Sequence, residues 1–275
     1  VNPVEDSQPV HLDLPPRALP LLEHTFIHIQ GIGPKMERAI WERGILTWKD
    51  FLRYPGMILS GPRDRVVRRD LNQSLSNRSC IDYFCPRLDR AEWWRLFNAF
   101  RHRAAYLDIE TSGGYEGVEE ITVIGLFDGT RVHTFVQGIN LESFEIAVAE
   151  YDLLITFNGG SFDLPMIRRR FPGITLPVGH IDLRFLLRRL GLKGGLKHIE
   201  QTVGIAREKG IQGLDGWDAV RLWAQYSQRG DTSALERLIR YNTADIVNLE
   251  PLMEMGVRAM KQRLFHGLLI SSNNP

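Results

Sequence analysis

The chain has 275 residues, with 34 basic and 33 acidic side chains, a net charge of +1, 43% apolar residues and 24% charged ones. That mixture is ordinary for a soluble globular protein and excludes global disorder. A chain this long buries roughly 70–75% of its unfolded surface and folds without staples. No apolar run approaches the ~18–20 residues that span a bilayer, so no membrane association is expected. No N-terminal stretch joins a basic start, an apolar core and a small-residue cleavage site, so secretion is not expected. Cys80 and Cys85 are too few for a disulfide framework and two ligands short of a structural zinc site. A reduced, cytoplasmic chain is the expectation. At ~150 residues per domain, the length allows one large α/β domain with an appendage, or two small domains.

In chain order, residues 1–20 carry five prolines (Pro3, Pro9, Pro15, Pro16, Pro20) and read as an extended lead-in. Phe26 to Lys35 then runs from an apolar stretch into Gly31-Ile32-Gly33, with Pro34 near the first turn of a helix. Gly44 stops that helix, and Thr47 opens another. Residues 60–103 look helical, with Asp89 as an N-cap. Arginines crowd this stretch, from Arg63 to Arg103, and recur at Arg168 to Arg170, Arg184, Arg188 and Arg189. They suit an anionic substrate, although on charge alone solvated helix faces are the better account of them. From Ala105 the texture changes. Strands are predicted over Tyr106–Glu110, Ile121–Phe127 and Arg131–Val136, with turns at Gly113-Gly114 and Asp128-Gly129. A helix near Glu142–Ala149, a buried strand 153–157, a helix over Asp163–Arg170 and a short strand at Ile181–Leu183 follow. The pattern is helical from Phe185 onward. This succession predicts an α/β domain with a mixed sheet over residues 104–260, preceded by a helical region (21–103) and followed by a tail (261–275).

The chemistry sits in carboxylates. Asp108 and Glu110 lie two apart on a predicted strand, so both point to one face. Side by side on an apolar strand they repel, and burying them calls for a cation or a proton. An exposed strand face explains the pair equally. Asp163 follows the strand at 153–157, at the strand-to-helix turn where α/β ligand sites gather. An N-cap supplied by Ser161 or Asp163 is the plainer account of that segment. Tyr241 and Asp245 are four apart on a predicted helix, about 5–6 Å apart at Cβ. Four carboxylates from three segments offer the oxygen ligands and negative charge that a pair of hard divalent cations needs. Such pairs stabilise the attacking and leaving oxygens of phosphodiester cleavage.

Leu107-Asp108-Ile109-Glu110-Thr111, Phe157-Asn158-Gly159-(x)2-Phe162-Asp163 and Tyr241-(x)3-Asp245 resemble, in order and rough spacing, the three motifs of the DEDD exonuclease superfamily. The last motif resembles the tyrosine subclass. Residues 192–200, Leu-Lys-Gly-Gly-Leu-Lys-His-Ile-Glu, are similar to a segment of bacterial ribonuclease-H-like predicted exonucleases. The resemblance spans residues 105 to about 255. It implies a ribonuclease H-like fold, a mixed sheet flanked by helices. It also implies a 3′-to-5′ exonuclease that uses two divalent cations, Mg²⁺ or Mn²⁺, on single-stranded ends of DNA or RNA. By position it assigns Asp108, Glu110 and Asp245 to one metal, and Asp108 and Asp163 to the other. Tyr241 with Glu110 orients the attacking water. Asn158 and Phe162 lie along the terminal nucleotide, Thr111 near its phosphate, and Lys197 is a further substrate contact. The loop Thr111-Ser112-Gly113-Gly114-Tyr115-Glu116-Gly117 is where relatives vary. A non-catalytic nucleic-acid-binding module and a ribonuclease H-type endonuclease are the alternative functions.

Upstream, Ile29 to Lys35 resembles the hairpin of helix-hairpin-helix modules. The likeness implies phosphate binding by Gly31, Gly33 and Lys35, and a packing hairpin is the other reading. Trp41, Trp48, Trp93 and Trp94 are expected in the core rather than as base-stacking platforms. The histidines are expected to be structural.

Overall fold

A computed structural model describes residues 21–56, 58–59, 61–114 and 118–266. The Pro-rich lead-in 1–20, residues 267–275 of the tail and Tyr115 to Gly117 lie outside the described residues. The predicted strands form one five-stranded sheet: β1 (Ala104–Thr111), β2 (Ile121–Phe127), β3 (Val132–Val136), β4 (Leu153–Thr156) and β5 (Gly179–Asp182), in the order β3-β2-β1-β4-β5. β1 to β3 form the antiparallel meander, and β1-β4 and β4-β5 pair in parallel. The β2–β3 turn is held by Asp128, whose Oδ1 accepts from the backbone N–H groups of Thr130 and Arg131 at 2.8 and 2.7 Å. The mixed sheet with flanking helices is the architecture the sequence predicts.

The helices are α1 (Pro34–Glu42), α2 (Trp48–Arg53), α3 (Gly61–Ser76), α4 (Ile81–Phe84), α5 (Phe97–Phe100), α6 (Phe144–Val148), α7 (Asp163–Arg170), α8 (Leu183–Arg189), α9 (Leu196–Thr202), α10 (Gly216–Arg229) and α11 (Thr232–Phe265). Short 3₁₀ turns break the predicted helical run 60–103, one of them opened by Asp89, whose side chain accepts from Ala91 N–H. Thr47 and Asp50 form a reciprocal capping box on α2. α11 carries the chain well past residue 260, so the first residues of the expected tail are helical. None of the described helices is long and apolar enough to cross a membrane.

The two-residue period of β1 splits its side chains between two cores. Ala105, Leu107 and Ile109 pack with Phe144, Ile167 and Phe171. Ala104 and Tyr106 belong to a larger core that also takes in Phe26, Trp41, Trp48 and Trp94 from the N-terminal region and Leu249 and Met253 from α11. The four tryptophans of that region are buried, as expected. Asp108 and Glu110 continue the second face of β1 toward the sheet end.

A buried ion network clamps the N-terminal region to the rest. Glu37 on α1 accepts the backbone N–H groups of Phe26 and Ile27 at 2.6 and 3.2 Å, and Arg95 Nη1 donates to its other oxygen at 2.9 Å. Arg95 also binds Glu92, which in turn accepts from Arg189 on α8. Several arginines of the basic stretch therefore face protein carboxylates: Arg68 pairs with Asp64, Arg101 with Glu254 and Arg103 with Asp152.

His28 is structural. Its Nε2 pairs with Ser74 Oγ at 2.9 Å, and its ring packs against Trp48 and Phe84. Burial, with Arg87 and Arg95 nearby, holds its pKa down to about 3 from 6.5. Between those values the unfolded chain takes a proton that the folded one refuses, so stability falls as pH drops. Urea denaturation of His28→Gln should lose about 2 kcal/mol less than the wild type between pH 6.5 and pH 5. An equal loss in both proteins would contradict a neutral, buried His28.

Candidate active site

β1 places Asp108 and Glu110 on one face, and α11 crosses that face with Tyr241, Asn242 and Asp245 turned inward. One oxygen from each of Asp108, Glu110 and Asp245 lies within 4.8 Å of the others. Glu110 and Asp245 are buried, and Asp108 is half-buried. Burial first, and then the neighbouring carboxylates, push the Asp108 and Glu110 carboxyls well above the ordinary range. Asp245 is also raised by burial, against the opposing pull of Arg207. Glu110 Oε1 is buried with no hydrogen-bond partner among the described residues. An all-oxygen donor set with one orphaned carboxylate oxygen fits a hard divalent cation.

Asp163 opens α7 on the wall of the same cleft, outside the 4.8 Å group. It does not cap the helix. Its Oδ1 accepts the backbone N–H of Ile109 at 3.2 Å, which ties the start of α7 to β1 between the two strand acids. Burial, with Asp182 and Asp245 adding, raises its pKa to about 7.

The turn that delivers Asp163 is built on a left-handed residue. Asn158 has φ +67°, a conformation Asn tolerates better than most residues. Asp182, at the end of β5, accepts from Asn158 N–H at 2.8 Å and from Arg184 N–H at 3.0 Å, so one carboxylate fixes this turn and caps α8. The Asn158 side-chain oxygen accepts from Ser161 Oγ at 3.0 Å.

The structure brings Thr111, Asn158 and Phe162 to the cleft, which encloses about 610 Å³. Thr111 Oγ1 donates to Glu119, and Phe162 is 39% exposed on the rim. Lys197, on α9, reaches the site through Tyr241: its Nζ donates to the phenol oxygen at 2.5 Å and sits 4.5 Å from the ring centroid. Gly31, Gly33 and Lys35 are not in this cleft. They are exposed on the N-terminal hairpin, where Arg63 Nη2 donates to Gly31 O at 2.7 Å.

Sequence reasoning missed three groups. Asn242 Nδ2 donates to Asp108 Oδ2 at 3.0 Å, and its other end lies against Gly125, the β2 residue paired with Asp108. Arg207, from the loop before α10, donates to Asp245 and to both oxygens of Glu200. Trp217, in the first turn of α10, stands on the cleft rim 70% exposed. Trp217 lies two residues after Asp215, whose side chain caps α10 by accepting from Asp218 N–H, and a Trp in the first turn behind such a cap was a legible signal. Nothing local marked the other two.

A model of the RNase H superfamily matches residues 105–257, and the chain belongs to that superfamily. Among solved structures it is similar to the EXO domain of Aedes aegypti Nibbler (13% identity, 64% of this chain, 91% of that one, TM-score 0.43). It is also similar to Escherichia coli RNase D, an exoribonuclease involved in structured RNA processing (20% identity, 63% of this chain, 44% of that one, TM-score 0.43). Brucella melitensis NrnC is a further neighbour (15% identity, 65% and 91%, TM-score 0.37). A comparison with curated protein sequences gives no match.

A Cβ added at Gly125 would sit 2.1 Å from Asn242 Oδ1 and 3.1 Å from Ile246 Cδ1. Gly125→Ala should therefore displace Asn242 from Asp108 and cost about 1–3 kcal/mol, as overpacking of a filled core does. An unchanged urea midpoint would contradict that close approach.

Proposed function

We propose that the chain is a metal-dependent nuclease that removes nucleotides from 3′ ends of single-stranded DNA or RNA. The observation that carries this reading is the convergence of Asp108, Glu110 and Asp245, with Glu110 Oε1 left unpartnered. Asp108, Glu110 and Asp245 would hold one divalent ion, Mg²⁺ or Mn²⁺, and Asp108 with Asp163 would hold a second. Bound there, the ions supply Lewis-acid stabilisation of the phosphoryl group and a more acidic water. The chain's own residues do the rest.

Tyr241 positions the attacking water. Burial and the charges of Asp245, Glu110 and Asp108 hold its hydroxyl above the ordinary phenol pKa, so it stays protonated near neutral pH. It is a hydrogen-bond donor and not a base, and Lys197 fixes its oxygen. Phe162 and Trp217, both exposed on the rim, offer ring faces to unstacked bases and favour a single strand over a duplex. The region 21–103 is the strand-presenting part, with Gly31, Gly33 and Lys35 as phosphate contacts. Its side chains share the largest core with the sheet, so point variants and not truncation are the way to examine it.

The test is a 5′-labelled oligonucleotide, as DNA and as RNA, with Mg²⁺ or Mn²⁺. Shortening to a ladder from the 3′ end is expected. Defined internal cuts favour an endonuclease, and no cleavage a binding module. Tyr241→Phe should slow single-turnover cleavage by ~10²–10³-fold, the usual cost of one positioned donor, while metal affinity is kept. A wild-type rate would make the tyrosine structural only. Trp217→Ala should weaken single-strand binding by about 1–3 kcal/mol, measured by fluorescence anisotropy, with the saturated rate retained. Unaltered affinity would remove Trp217 from the binding surface.

A further inference from the structure

The site contains a cation of its own. Arg207 enters from the loop between α9 and α10, and its Nη2 donates to Asp245 Oδ1. Its Nε and Nη2 also grip Glu200, each at 2.7 Å. Glu200 is fully buried on α9, and its Oε1 also accepts from Asn248 Nδ2 at 3.0 Å. Among the described residues Arg207 Nη1 is buried without a hydrogen-bond partner, so the guanidinium's hydrogen bonds go to these two carboxylates, with the Tyr241 ring centroid 5.8 Å from its carbon. The side chains of Arg207, Glu200 and Asp245 are 7%, 2% and 8% exposed, which removes most solvent screening from their interactions.

An arginine is always charged, and its planar fork suits a carboxylate. Here it sits on a carboxylate that, on the metal-site reading above, is also a metal ligand. We propose that Arg207 is the resident counter-cation of the carboxylate cluster. It holds Asp245 in place before metal arrives, and it opposes metal binding by occupying Oδ1 and by placing a positive charge beside the site. Arg207 and Glu200 together therefore set how tightly the cluster takes a divalent ion. The inference rests on that reading of the cluster as a metal site.

The experiment is calorimetric titration of Mn²⁺ into the full chain at pH 8, without nucleic acid, for wild type, Arg207→Gln and Arg207→Lys. Circular dichroism checks folding. Arg207→Gln should bind Mn²⁺ at least about tenfold more tightly, because a competing unit charge is gone. Arg207→Lys keeps the charge and should stay within about threefold of wild type. The Mn²⁺-induced rise in melting temperature should be larger in Arg207→Gln than in wild type. If Arg207→Gln does not fold, the double variant Arg207→Gln/Glu200→Gln removes the buried pair together and should still bind at least about threefold tighter. Equal or weaker affinity in the folded Gln variants overturns the proposal and leaves Arg207 a structural ion pair. So does an Arg207→Lys affinity equal to that of a tightened Arg207→Gln. A wild type that takes up no Mn²⁺ defeats the metal-site reading as well. Wild-type binding with unchanged variants defeats this inference alone.

Discussion

Three carboxylates with oxygens inside 4.8 Å of one another cannot all be ionised out of water without a positive charge among them. Much of the local architecture answers that constraint. Asn242 donates to Asp108, Arg207 to Asp245, and Lys197 stands beside Tyr241 over the same face. Glu110 receives no such partner on Oε1. The sheet makes the crowding possible: β1 lies at its centre, paired with β4 through Tyr106 and with β2 along the stretch that carries both acids. α11 supplies the opposing face over a continuous run of 34 residues, and its burial against β1 and β2 holds Asp245 in the cluster.

The N-terminal region is bound to this frame by chemistry of the same kind. Glu37, Arg95, Glu92 and Arg189 form a chain of ion pairs from α1 to α8. Glu37 and Arg95 are almost wholly buried, and removing one member of such a pair typically costs ~3–5 kcal/mol. Together with the shared apolar core, this network fixes where the exposed hairpin at Gly31 to Lys35 stands relative to the sheet.

Much of this was legible in the sequence because it is periodic. Apolar runs bounded by turn residues located β1, β2 and β4 to within a residue or two, and the two-residue and four-residue spacings placed Asp108 with Glu110 and Tyr241 with Asp245 on common faces. Pairings between distant residues were not legible. The Asn242–Gly125 approach spans the sheet and a helix, and Arg207 reaches Asp245 from a loop with no motif. Asp163 illustrates the limit from the other side. Its position at a helix start reads as a cap, and only the tertiary fold turns its oxygen to Ile109 N–H. A count of arginines does not foresee their partners for the same reason, since Arg68, Arg95, Arg101 and Arg103 meet protein carboxylates that lie from four to over a hundred and fifty residues away in the sequence.

If the acids are crowded for a cation, their repulsion destabilises the metal-free fold, and neutralising one of them relieves it. Thermal melts of wild type and Asp108→Asn, each in chelator and in millimolar Mn²⁺, measure this directly. The account predicts that Asp108→Asn melts higher than wild type in chelator, and that Mn²⁺ raises the wild-type midpoint but not that of the variant. A wild-type midpoint indifferent to Mn²⁺, with Asp108→Asn no more stable in chelator, would contradict the cluster's role as a cation site.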